Sequence, residues 1–131
     1  VVDFARMRQL SNRVPMARFR VEQIMSAATK MTATLSDEPK GNAMRDRVAE
    51  SVIMLEVARE TYVKLASELW AMRGELRPIV EQIDDPTART CMRMRYIDGV
   101  SAKEIACRLN YSERRVFQIL KTAEEAVNNG N

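Results

Sequence analysis

In the first quarter of the chain, apolar residues recur at alternating spacings of three and four: Met7, Leu10, Val14, Ala17, Val21, Ile24, Ala28, Met31 and Leu35. That spacing puts them all on one face of an α-helix, an uninterrupted heptad seam that predicts helix to about Thr34. Pro15 lies inside the seam. It has no N–H to donate and crowds the carbonyl four residues back, so a kink or a new helix is expected there. Ser36-Asp37-Glu38-Pro39-Lys40-Gly41-Asn42 is polar and holds both Pro and Gly, which marks a loop. From about Met44 a second seam runs through Val48, Val52, Leu55, Tyr62, Ala66, Leu69, Leu76, Val80 and Ile83, interrupted by Arg59 and Arg73. About forty helical residues reach roughly 60 Å, and a stripe that long needs a partner. The first helix supplies one by folding back into an antiparallel hairpin. Met54, Trp70 and Met72 widen the stripe and leave apolar surface for another chain. Pro78 would clash with the carbonyl of Gly74, so a bend is expected between them, with Pro78 to Asp84 going with the segment that follows.

Beyond Asp85 the pattern breaks into three short helical pieces. Asp85-Pro86 pairs an N-capping acid with a proline at the first helical position, where the missing N–H costs nothing. Met92, Tyr96 and Ile97 keep helical spacing until Gly99 supplies a left-handed stop. Ser101-Ala102-Lys103-Glu104 reads as a capping box opening the next helix, whose apolar face is Ala102, Ile105, Ala106 and Leu109. Ala106 is small enough for a partner helix to cross close by. Asn110 stands where a tight turn needs positive φ, and Tyr111 is expected to plug the corner. Ser112 caps the last helix with Glu113 in its first turn, and Val116, Ile119, Leu120 and Ala123 share its inner face. Opposite them, Arg114, Gln118 and Lys121 fall within about one 60° sector. Arg and Lys can pair with guanine acceptors and Gln with adenine, so this face has the chemistry to read a major groove; the alternative is a solvated surface.

Composition narrows the choices. The chain has 131 residues, one domain's worth or a small head with a helical arm, and a formal charge of +3. The charge is unevenly spread: residues 1–36 carry +4, residues 37–85 carry −4 and residues 86–131 carry +3. A basic final segment suits phosphate, while the balanced remainder argues against a chain that merely coats DNA. Cys91 and Cys107 are the only cysteines and there is no histidine. A four-ligand Cys/His zinc site within one chain and a His-based triad are therefore excluded, and both cysteines are expected to be small apolar or half-buried residues. Acids are scattered on helix faces as i,i+4 partners of Arg and Lys, so no catalytic constellation converges and no cofactor is expected. No apolar run has the length of a signal peptide or membrane span, and a cytoplasmic location is expected. Asn128-Asn129-Gly130-Asn131 looks like a frayed tail.

The runs Met94-Arg95-Tyr96-Ile97-Asp98-Gly99-Val100-Ser101-Ala102-Lys103-Glu104-Ile105-Ala106 and Leu109-Asn110-Tyr111-Ser112-Glu113-Arg114-Arg115-Val116 resemble the promoter-reading region 4 of bacterial sigma factors. The chain is similar, from about Arg18 to the end, to small proteins of Gram-positive phages and prophages, of the late-gene activator type. Many of these are named only as a domain of unknown function, and they carry a region-4-like segment behind a long helical N-terminus. The resemblance implies a transcription regulator acting in a bacterial host cell. It sets Glu113, Arg114, Phe117 and Gln118 towards bases and Ser112 and Arg115 towards the DNA backbone; beside these, Lys121 is expected to join the base-facing set by helical spacing, and the basic Lys103 and Arg108 to join the backbone set. Sigma factors commonly carry basic residues where Glu113 and Phe117 stand, which implies a different target sequence. Phe117 is then expected on a thymine methyl or against the N-terminal helices.

The expected protein is all-α: a helical hairpin and oligomerisation arm over 1–84, bent near 74–78, then a helix-turn-helix head over 85–131. It binds duplex DNA and regulates transcription, as a homo-oligomer with a dimer favoured, and RNA polymerase is a further candidate partner. A small terminase-like packaging protein is the alternative within DNA binding. A helical protein that binds polymerase or sigma without touching DNA is the alternative outside it.

Overall fold

The computed structural model describes residues 1–35 and 42–130, and among them every regular element is helical. Two long helices, α1 (Phe4–Leu35) and α2 (Asn42–Glu81), precede α3 (Pro86–Met92), a π-helical turn (Arg93–Ile97), α4 (Ala102–Leu109) and α5 (Glu113–Asn128). No helix among the described residues is long and apolar enough to cross a membrane. The loop expected at Ser36 to Asn42 falls on residues 36–41, outside the described residues, as do the side chains of the seam positions Met31 and Leu35; Asn42 itself opens α2.

Neither internal proline ends a helix. Pro15 lies within α1 and Pro78 within α2, so no new helix starts at the first and the bend expected near Gly74 does not interrupt the second. The reason is local packing: Leu76 and Val80, on either side of Pro78, are both fully buried, which offsets the single backbone hydrogen bond a proline forfeits. The seam of α2 also differs from the expected register. Val52 is 53% exposed, whereas Ala58 and Leu65 are buried. The inner face steps by three and four through Leu55, Ala58, Tyr62, Leu65, Leu69, Met72 and Leu76, so Arg59 and Arg73 sit one position beyond it and do not break it.

The chain packs as two compact units, Val1–Ser11 with Glu68–Asn131, and Asn12–Ser67. The first unit holds one continuous core in which Tyr96, Met7, Leu76, Met92, Ile105, Val80 and Val116 are the largest fully buried side chains. Its membership does not begin at residue 85, because Phe4 and Met7 of α1 and Leu76 and Val80 of α2 pack in the same cluster as the short helices. The Phe4 and Tyr96 rings lie 4.9 Å apart and tilted. Tyr96 donates its hydroxyl to Glu124, and Arg8 donates to both, at 2.8 Å to the phenol and 2.7 Å to the carboxylate. Arg6 grips Glu68 with two bonds of 2.8 Å. Asn128, expected in a frayed tail, is the last residue of α5 and clamps Val2, accepting from its N–H at 2.8 Å and donating to its carbonyl at 3.1 Å. The correction is physical: a side-chain amide offers a donor and an acceptor together, which matches one backbone residue.

In the second unit the described buried side chains are Ile24, Ala58 and Leu65, while Met16, Phe19, Met25, Ile53, Val57 and Val63 are exposed. Here α1 and α2 lie side by side, with Ile24 and Ala58 lining a shared groove.

Candidate nucleic-acid interface

Each short helix of the first unit is closed by the residues placed to close it. Asp85 accepts from the Thr87 N–H at 3.2 Å, and Pro86 follows at the first helical position. The π-helical turn runs to Ile97 with Asp98 after it, and Gly99 then turns the chain with a φ of +73°, the left-handed conformation that glycine adopts freely. A β-carbon there would also stand 3.0 Å from the guanidinium of Arg73. Arg73 in turn donates to the carbonyl of Tyr96 at 3.2 Å, and burial lowers its pKa, with Asp98 opposing the shift.

The Ser101 hydroxyl accepts from the Glu104 N–H at 3.2 Å and starts α4. The carboxylate of Glu104 turns to Arg108, 2.8 Å away, an i,i+4 pairing in place of the reciprocal half of a capping box. Asn110 takes φ 60° and ψ 42°, as the tight turn requires. Tyr111 does not plug the corner. The residue is 41% exposed and its N–H closes the turn instead, donating to the Ala106 carbonyl at 2.9 Å. Ser112 then caps α5, accepting from the Arg115 N–H at 3.1 Å.

Val116, Ile119, Leu120 and Ala123 bury one face of α5. Glu113, Arg114, Arg115, Phe117, Gln118 and Lys121 are all exposed, and among the described residues none of their charges forms an ion pair. At about 100° per residue, the centre of the exposed face is Arg114, flanked by Gln118 on one side and Lys121 on the other. Glu113 and Phe117 stand beyond Lys121, and Arg115 beyond Gln118. Phe117 is 57% exposed, so it does not pack against the N-terminal helices. On α4 both Lys103 and Arg108 are exposed, but they sit about 140° apart around the helix, on opposite flanks of its outer face. Beside α5 a groove of about 930 Å³ is lined by Arg115 and Gln118 together with Ile83, Asp84, Asp85 and Ala88. No local sequence pattern marks this groove, because its walls come from residues more than thirty positions apart, as Asp84 and Gln118 are.

Cys91 is fully buried, and burial raises its thiol pKa, reinforced by Asp85 and opposed by Arg115. Cys107, expected half-buried, is exposed because it lies on the side of α4 away from Ile105 and Ala106. Among the described residues no three Cys, Asp or Glu side chains gather as they would around a metal ion.

Residues 29–128 match a sequence family described as "Protein of unknown function (DUF1492)". The chain belongs to that family. The match takes in α2, α3, the π-helical turn, α4 and α5 whole. No curated protein and no solved structure matches the chain.

Proposed function

We propose that this protein binds duplex DNA through α4 and α5, used as a helix-turn-helix resembling sigma region 4, and regulates transcription by positioning its partners. The observation that carries the reading is the outer face of α5, where Arg114, Gln118 and Lys121 stand exposed directly opposite the buried seam. Side chains of these types on a firmly anchored helix suit guanine and adenine edges in a major groove. The left-handed turn at Asn110 and the Ser112 cap support it further, because base reading needs a helix whose register is held. In this reading Glu113, Arg114, Phe117, Gln118 and Lys121 face bases, and Lys103, Arg108, Ser112 and Arg115 face the backbone. The exposed pairing of Arg108 with Glu104 is worth at most about 1 kcal/mol, so a phosphate can displace it.

Titrations against duplexes selected from a random library, and against unselected duplexes, test the reading at several salt concentrations. Arg114→Ala or Gln118→Ala should cost about 1 to 3 kcal/mol on the selected duplexes alone, and Arg115→Ala should weaken both sets alike. Equal losses on both sets for Gln118→Ala would remove it from the base-facing group. The absence of any salt-sensitive binding would overturn DNA binding and favour a polymerase- or sigma-binding protein.

A second reading concerns the unit Asn12–Ser67, where exposed Ile53, Val57 and Val63 favour association with a second copy. A dimer in solution fits regulation from paired half-sites, and a ring of many copies would favour DNA packaging.

A further inference from the structure

Two exposed side chains on α5 add nothing to the buried core and nothing to phosphate attraction. Glu113 is exposed at the first position of the helix, where its carboxylate would repel a phosphate backbone, and no cation pairs with it among the described residues. Phe117 leaves 57% of its surface in water. The two are four residues apart, hence on the same flank, and rise about 6 Å along the helix.

We infer that Glu113 and Phe117 together read a cytosine and a thymine one or two base steps away in the major groove. The inference rests on the DNA-binding reading and adds to it the chemistry of the target. Residues at the start of a recognition helix reach base edges, and a carboxylate there requires a donor. Cytosine presents its N4 amino group beside an apolar C5–H, whereas adenine presents N6 beside the N7 acceptor, which repels a carboxylate. Cytosine is therefore the base that fits Glu113. The thymine methyl is the most prominent apolar group of the major groove, and a phenyl ring can be dried on it. Bases lie about 3.4 Å apart along a strand, so a 6 Å rise spans one to two steps. The pair is thus a specificity device: the acid gives up affinity for every duplex and regains it on one kind of step.

The test uses the full chain and duplexes recovered from a random-sequence library. In the recovered sites a thymine is replaced by uracil, which deletes only the methyl group, and a C·G pair is replaced by A·T. For the unaltered protein the uracil should weaken binding about three- to fivefold, and for Phe117→Ala it should change nothing. The C·G replacement should cost the unaltered protein about fivefold or more and should leave Glu113→Ala indifferent, while Glu113→Ala binds unselected duplexes more tightly. Both positions are exposed, so circular dichroism of the variants should match that of the unaltered protein. Glu113 also favours the positive N-terminus of α5, and a lowered melting temperature in Glu113→Ala with cytosine preference intact would assign it that role alone. Equal uracil losses in both proteins, or no cytosine in the recovered sites, would overturn the inference and leave DNA binding standing. Failure to recover any duplex would overturn both.

Discussion

The two compact units are built from the same two long helices, yet they bury very different amounts of side chain. In the unit Val1–Ser11 with Glu68–Asn131, fourteen buried residues form one cluster. In the unit Asn12–Ser67 the described buried residues are Ile24, Ala58 and Leu65. The difference is one of geometry. Three short helices can surround the ends of α1 and α2 and exclude water from every side, whereas two helices side by side can shield only the seam between them. The first unit is therefore expected to carry the stability of the chain, and the second to carry surface.

The largest effect should come from the first unit. Leu76 of α2 is fully buried in the cluster it shares with the short helices, so Leu76→Ala removes its burial and leaves a cavity, at a cost of about 2 to 5 kcal/mol. Chemical denaturation monitored through helical content measures it. A loss below that of Ile24→Ala, in the other unit, would reverse the assignment of stability between them.

Tyr96→Phe comes next. The phenol sits between Arg8 and Glu124, and its loss removes hydrogen bonds to charged groups worth about 1 to 3 kcal/mol. Burial first, and then the bond to Glu124, raise the Tyr96 pKa well above its ordinary value of about 10. A raised value in the folded state means that the protonated phenol stabilises the fold at every pH below about 10 and that this stabilisation is lost as the pH rises further. The gap in stability between the unaltered protein and Tyr96→Phe should therefore be constant up to pH 9 and shrink towards pH 11. A gap that widened with alkali would contradict the burial of this hydroxyl.

Asn128→Ala should cost about 1 kcal/mol, since the two bonds to Val2 are only partly buried. Faster amide exchange at Val2 would accompany it. An unchanged melting temperature with Val2 exchange unaltered would return Asn128 to the frayed tail.

These residues also mark how far the sequence could be read. The caps at Asp85, Ser101 and Ser112 and the turn at Asn110 were legible because each is a local contest between a side chain and a few backbone groups. The outward direction of Arg114, Gln118 and Lys121 was legible for a similar reason, as helical spacing fixes it relative to Val116. The bonds from Arg8 to Glu124 and from Val2 to Asn128 were not, since they join residues more than a hundred positions apart and nothing in either segment specifies the other. The register of α2 was misplaced at Ala58, whose single methyl group makes little hydrophobic signal although the residue is buried where α1 and α2 meet. Tyr111 misled in the opposite sense, because an aromatic ring beside a turn reads as a plug although backbone bonds already close the corner.

The smallest effect on folding, and the sharpest test of the contrast, should come from Val57→Ser. Val57 is 58% exposed on α2, and valine and serine have similar helix propensities, so the change should move stability by no more than about 0.5 kcal/mol. It does remove an apolar side chain from the flank shared with Ile53, beside the groove where α1 and α2 meet. If that flank is where a second copy docks, self-association should weaken, because residues drying the centre of such a contact contribute far more to binding than to the fold of one chain. Light scattering across a concentration series, run beside a thermal melt, separates the two quantities. Weakened association with an unshifted melt at low concentration is the expected result. A lowered melt with unchanged mass would show Val57 to be part of the protein's own core, and the second unit would then be a folding unit like the first.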